Sequence, residues 1–184
     1  MKNLPLNKVV RLLEPGPLTL VTTSNKGKNN IMTMGFHMMV QHDPPLIGVI
    51  IGPWDYSYTA LSKIKECVIA IPGVDLIEKV VDIGNCSGAE VDKFEKFGFH
   101  PLNADKVKAP LIRECLANIE CRVVDTKLVK EYNLFILSAV KAWKNEGRKE
   151  QRIFHHNGDG TFSINGDVIS LKEKMIKWQD IIKD

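Results

Sequence analysis

The chain alternates between short apolar runs and turn residues. PLTLVTTS (17–24) is uncharged and β-branched and predicts a strand. NKGK (25–28) predicts a turn in which Gly27 takes a positive φ. NNIMTMGFHMMVQ (29–41) resumes the strand pattern, so the two segments predict a hairpin. DPP (43–45) breaks the chain, and LIGVIIG (46–52) is apolar without alternation, the pattern of a strand buried on both faces. The period changes in WDYSYTALSKIKE (54–66), where Tyr58, Leu61, Ile64 and Lys65 fall at helical spacing and Asp55 or Ser57 is the N-cap.

CVIAIPG (67–73) predicts another strand, and DLIEKVVDIG (75–84) a short helix. CSGAEVDKFEKFG (86–98) predicts a second helix, opened by a Ser87/Glu90 capping box, buried along Val91 and Phe94, and closed by Gly98. Residues 100–110 read as loop. CLANIECRVVDTKLV (115–129) and YNLFILSAVKAWKN (132–145) alternate as long strands joined by a tight turn near Lys130. NGDGTFSING (157–166) carries a hairpin signal. SLKEKMIKWQDIIKD (170–184) predicts an amphipathic helix with Leu171, Met175, Trp178 and Ile182 on one stripe. Hairpins dominate and no βαβ alternation occurs. The prediction is one domain over 1–184, mainly β with peripheral helices, arranged as an antiparallel barrel or sheet.

The charge pattern narrows the function classes. A net charge of +3 spread among interleaved Lys and Glu gives no basic block for nucleic acid. No apolar run reaches the ~20 residues that span a bilayer, and the N-terminus lacks a signal-peptide pattern. Four cysteines (67, 86, 115 and 121) include no C-x-x-C pair and no histidine at zinc spacing, which predicts a reducing, cytoplasmic setting. Cys67 and Cys121 sit in apolar runs and predict buried thiols.

Three segments carry candidate chemistry. In PWDYSYT a strand end meets a helix start that bears Ser57 and Thr59, so backbone N–H groups and two hydroxyls suit a phosphate; equally, Ser57 is only a helix cap. NNIMTMGFHMM is polar at Asn29 and Asn30 and interrupted by Gly35, which suits backbone contact with the polar edge of a planar heterocycle between apolar walls; a bulged strand in a Met-rich core explains it too. In the third segment, Ala89, Lys93 and Phe97 follow at four-residue steps, which makes Lys93 either a snorkelling surface lysine or a cation aimed at the Ser87-Gly88 turn. His37 fits a site or the core, and the adjacent His155 and His156 make a poor chelate because neighbours on a strand face opposite ways. No Walker loop, G-x-G-x-x-G or G-x-S-x-G is present.

Taken in order, PLTLVTT, NNIMTMGF, DPPLIGVII, YSYTALSK, CSGAEVDKFEKFG, ANIECRV and the ending RIFHHNGDGTFSINGDVISLKEKMIKWQD resemble the flavin reductase-like family, and within it the flavoredoxin group. The resemblance implies an FMN-binding split antiparallel β-barrel, a noncovalent FMN, a homodimer, and an FMN-dependent oxidoreductase supplied with electrons by NADH or NADPH or by a redox partner protein. By that likeness the flavin ring and ribityl chain face Asn30, Ile31, Met32, Thr33 and Met34, with Phe36 beside them. Ser57, Tyr58 and Thr59 hold the phosphate, while Cys86, Ser87 and Gly88 close on the flavin and Lys93 approaches it. The chain departs from common family patterns at Trp54-Asp55, where many relatives carry Arg or His, and at Lys130-Glu131-Tyr132, where many show a Gly-Asp-His turn. A carrier without NAD(P)H turnover and a split-barrel binding module without flavin are the competing readings.

Overall fold

The computed structural model describes residues 16–174. Its frame is a seven-stranded antiparallel sheet built from β1 (Thr19–Asn25), β2 (Lys28–Met34), β3 (His37–Gln41), β4 (Leu46–Ile50), β5 (Glu66–Ile71), β8 (Ala117–Asp125) and β9 (Leu134–Lys144). The strand order is β2-β1-β5-β8-β9-β4-β3. The two edge strands, β2 and β3, are therefore consecutive in sequence, with only Gly35 and Phe36 between them. An open sheet of this width would separate its edges by roughly 29 Å at ~4.8 Å per strand, whereas three peptide steps reach about 11 Å at most. The sheet must curl until its edges meet. Since no β2–β3 ladder closes it among the described residues, the result is a split barrel. The predicted single strand over 29–41 is corrected here: the chain turns a corner at Gly35-Phe36, where Phe36 O accepts the Ile50 N–H at 3.0 Å.

The hairpin turn forms as its residues dictate, with Lys26 at φ 51° and Gly27 at φ 78°. Burial then follows the two faces of the curled sheet. Val21, Met34, Val49, Ile69, Cys121 and Phe135 fill the barrel interior. Leu20, Ile31 and Ala70 point outward and are covered by α2 (Ile77–Gly84), by Phe94 of α3 (Lys93–Phe97), and by Phe154. Helix α1 (Tyr56–Ile64) packs on β1 and β2, burying Ser57, Ala60 and Leu61. Cys67 and Cys121 are cross-strand partners, both buried and free. The side-chain hydrogen bond with Cys121, and then burial, raise the Cys67 thiol well above its ordinary value.

Several boundaries differ from the sequence reading. The 100–110 segment is largely loop but contributes β6 (Pro101–Leu102), paired with β7 (Leu111–Ile112). The turn near Lys130 is the single-turn helix α4 (Val129–Tyr132), ended by Asn133 at φ 56°. The predicted helix over 86–98 shrinks to α3. Its cap is Asp92, whose carboxylate accepts the N–H groups of Phe94 at 2.9 Å and Glu95 at 3.2 Å. Ser87 caps only a local turn: its Oγ accepts the Ala89 N–H at 3.2 Å, and its carbonyl accepts from Glu90 and Val91. Ala89 is thus outside the helix, and the proposed Ala89–Lys93–Phe97 ridge does not exist. The hairpin of β10 (Phe154–His156) and β11 (Phe162–Ile164) packs on the outer face of the sheet through Phe154 and Phe162, anchored by Leu18 N–H donating to Phe154 O at 3.0 Å. The terminal helix predicted over 170–184 lies mostly outside the described residues, which end in a 3-10 turn at Lys172–Lys174.

Candidate functional site

One groove runs along the free edge of β2, between the start of α1 and the connection from α2 to α3. It has three communicating basins of about 590, 390 and 500 Å³. Trp54 and Asp55 line all three.

The first basin is cationic. The β1–β2 turn brings Lys26 and Lys28 opposite Thr59 and Tyr56 of α1. Lys28 Nζ stands 5.3 Å from the Tyr56 ring centroid. Asp55 occupies the N-cap position of α1 but does not cap it. Its carboxylate turns back to accept the Gly52 N–H at 2.9 Å. The start of this nine-residue helix therefore has no side-chain cap, and it lines the same basin as the two lysines. Orphan donors and the positive dipole end favour an anion there.

The middle basin is polar, lined by Asn30, Thr33, Asn85, Ser87 and Lys93 among others. Asn30 is buried and donates from Nδ2 to Ser57 Oγ at 2.9 Å. Thr23 Oγ1 donates to the same oxygen at 3.4 Å. Lys93 is only 5% exposed, and its Nζ donates to Ile83 O at 2.8 Å, tying α3 to the end of α2. It occupies the first position of α3, where a positive charge opposes the helix dipole. Burial lowers its pKa, against the pull of Cys86 and Asp55. An ammonium held in an unfavourable place, with one protein acceptor for its three protons, is set to receive a negatively polarised atom from the basin.

The third basin is apolar. Met34, Phe36, Ile50, Trp54 and Phe162 contribute to its walls, together with His156 at the end of β10 and Gly160 of the β10–β11 turn.

The residues singled out from sequence divide accordingly. Asn30, Met32, Thr33, Met34, Phe36, Thr59, Cys86, Ser87 and Lys93 line the groove. Gly88 is buried behind it, against Asn30 and Tyr56. Ile31 points into the packing under α2. Tyr58 faces the barrel, edge-on to Phe135 at 5.9 Å. The Ser57 hydroxyl is engaged inside the fold, so of the two helix-start hydroxyls it is Thr59 that lines the groove. Sequence reasoning passed over Lys26 and Lys28, which read as turn residues; only the hairpin's position beside α1 brings them to the groove. It also passed over Asn85, Ile50 and Phe162, and weighed His156 only as a chelate with His155; the four reach the groove from separate segments and share no local pattern.

The flavin reductase like domain profile matches residues 11–162, and the chain belongs to that family. A protein of Archaeoglobus fulgidus, described as uncharacterized, is 36% identical over 132 residues, spanning 71% of this chain and 75% of its own. Flavoredoxin from Methanosarcina acetivorans superposes with a TM-score of 0.80 at 24% identity, over 99% of this chain and 100% of that one. The FMN-binding domain of a flavin reductases-like enzyme from Shewanella baltica OS155 gives 0.78 at 23% identity, over 91% and 95%. These two likenesses establish the split-barrel fold.

Proposed function

We propose that this chain is an FMN-dependent oxidoreductase that holds one noncovalent FMN in the groove and draws electrons from NADH or NADPH. The observation that carries the reading is the order of donors along the groove: an uncapped helix start with Lys26, Lys28 and Thr59, followed by a polar basin ending at Lys93. That order fits a phosphate joined through a hydroxylated chain to a heterocycle with a polar edge. Family membership and the FMN-binding domain of the Shewanella baltica relative support the same ligand.

Bound FMN supplies the hydride or electron transfer; the protein supplies binding, orientation and local charge. Lys26 and Lys28 neutralise the phosphate, and the α1 N–H groups with Thr59 orient it. Lys93 places a positive charge beside the heterocycle. Such a charge favours the reduced ring, which carries more negative charge, by ~1 kcal/mol when partly solvated. For a two-electron couple this is roughly 20 mV. Lys93→Met should therefore lower the midpoint potential of the bound flavin by about that amount, measured by dye equilibration. Its FMN-free melting temperature should move little, because the lost hydrogen bond to Ile83 O is offset by relief of a buried charge. An unchanged potential together with unchanged FMN affinity would assign Lys93 a purely structural role.

Anaerobic addition of NADH or NADPH should bleach the visible flavin absorbance of the loaded protein. A protein that stays yellow until a reduced redox partner is added is a carrier, contrary to this proposal. We also propose a two-fold homodimer. Three successive residues of edge strand β3, Met38, Met39 and Val40, are exposed and apolar, and pairing copies of the chain would cover them. Sedimentation at micromolar concentration should give a dimer; a monomer contradicts this part of the proposal. A cytoplasmic setting is consistent with four cysteines that are all free. Among the described residues no helix is long and apolar enough to cross a membrane.

A further inference from the structure

Two surfaces of this chain are apolar, exposed and complementary. The first is β3. It ends the strand order, so its outer edge carries no ladder among the described residues. Met38, Met39 and Val40 are exposed, and the strand holds no lysine or proline of the kind that blunts an edge. Met38 and Val40 share one face, where both reach over Gly48 of β4, and Met39 points to the other. The second is the segment that leaves β11. Val168 is 96% exposed and Ile169 82%, more than any other large apolar side chain among the described residues, and exposed Leu171 follows them. At Gly166 an added Cβ would meet nothing within 4 Å. Asp167–Leu171 reads DVISL, with two β-branched apolar residues, yet it belongs to no strand. Extended, its five residues reach about 17 Å, the length of five-residue β3.

Short contacts fix the root of this segment beside the start of β3. Asn165 N–H donates to Ile153 O at 3.1 Å, and Asn165 Oδ1 lies 2.7 Å from His155 Nε2. His155 bridges to Pro17, and Pro17 O lies 2.7 Å from Nε2 of His37, the first residue of β3. The tail therefore starts at the border of the unpaired edge. It does not fold back along that edge, although its length would cover it; Val168 and Ile169 stand out in solvent. A second copy brought to this edge would meet the tail at its root.

We propose, on the homodimer reading above, that Asp167–Leu171 of one copy adds as a strand to the outer edge of β3 in a second copy, and that the exchange is reciprocal. The edge offers unpaired N–H and C=O groups, and an extended tail offers the same groups together with apolar side chains. Pairing β3 with β3 would cover the edge and leave both tails in water. Exchange covers all four surfaces at once, and because each copy gives and receives the same segment, the assembly closes at two.

The test uses the full chain. Met39→Cys and Ile169→Cys proteins are purified separately, mixed, left to exchange subunits and mildly oxidised. The expected result is a covalent dimer joined through the two introduced thiols, located by peptide mass mapping, in the mixture and in neither variant alone. Both variants keep the native cysteines, so any bond through partly exposed Cys86 alone appears in the unmixed controls as well. In a second measurement, Val168→Lys combined with Ile169→Lys should raise the dimer dissociation constant in sedimentation by roughly tenfold or more. Both side chains lie outside the core, so the melting temperature of the dilute, monomeric protein should not move. A tail that docks on its own β3 gives no bond in the mixture and overturns the proposal. A covalent dimer of Met39→Cys alone, joined at that position, shows β3–β3 pairing and also overturns it. A dimer that the two lysines leave intact overturns the exchange while the homodimer stands, whereas a monomeric wild type overturns both.

Discussion

Gly88→Ala is expected to lower FMN affinity by roughly tenfold or more and to destabilise the fold by about 1–3 kcal/mol. A Cβ at this position would lie 2.1 Å from Asn30 Oδ1 and 2.7 Å from both Asn30 Cγ and Tyr56 Cδ1. Asn30 cannot swing aside at little cost. It is 4% exposed, and its Nδ2 donates to Ser57 Oγ, which also accepts from Thr23. Moving Asn30 breaks a buried hydrogen-bond network and displaces a residue that lines both the cationic and the polar basins. Moving the loop instead carries Ser87 and Cys86 away from the polar basin. The two effects are separable: the denaturation midpoint without FMN reports the strain, and an FMN titration reports the groove. A variant with wild-type values for both would show that the 86–88 turn adjusts freely and does not shape the site.

Glu120→Ala is expected to cost about 3 kcal/mol or more, since it strands several buried donors at once. Glu120 is 0% exposed in the middle of β8. Its carboxylate accepts the Trp143 indole N–H at 2.6 Å and the backbone N–H groups of Asp105 at 3.1 Å and Lys106 at 2.5 Å. It thereby fastens the 104–109 loop over the sheet, where Val107 and Ala109 pack against Val68. Burial raises its pKa, but the indole and the N–H groups of Asp105, Lys106 and Val107 outweigh that, and the net direction is downward. A carboxylate with a lowered folded-state pKa contributes stability above its unfolded value of ~4.3, and that contribution is lost as pH falls through the folded value. Chemical denaturation across the acid range should show the wild type losing stability below about pH 4 more steeply than Glu120→Gln. Parallel acid limbs, or a small loss in Glu120→Ala, would contradict the assignment.

Local chemistry made part of this structure legible from sequence. Lys26-Gly27 takes the positive φ values that a two-residue hairpin demands. The LIGVIIG run does form a strand, but the expected burial on both faces is corrected: Ile47, Val49 and Ile51 are buried, while Ile50 on the opposite face is exposed. The order of segments carried the family and hence the split barrel. Where the sequence misled, two local signals competed. Ser87 and Glu90 satisfy a capping-box spacing, yet Asp92 accepts two N–H groups and starts the helix later. The intervening residues must turn so that Lys93 can reach Ile83 O. The corner at Gly35-Phe36 was hidden because apolar residues continue through it; only closure of the sheet requires the break. Glu120 lies within the alternating 115–129 strand and carries no local signal of its role; it becomes a buried hub only once a loop from 15 residues upstream folds across it. In the groove, Lys93 was marked by its setting, whereas Lys26, Lys28, Asn85 and Phe162 converge through tertiary structure that no short window of sequence displays.

The account stands most directly on the ligand order along the groove. Titration of flavin-free protein with FMN and with riboflavin, followed by quenching of flavin fluorescence, tests it. One FMN per chain should bind, at least roughly tenfold tighter than riboflavin, because a charge-assisted hydrogen bond to phosphate is worth about 1.5–3 kcal/mol. Lys26→Ala with Lys28→Ala should erase most of that difference while leaving riboflavin affinity in place. Equal affinities for FMN and riboflavin would remove the phosphate from the α1 start, and a protein that binds neither would contradict the account as a whole.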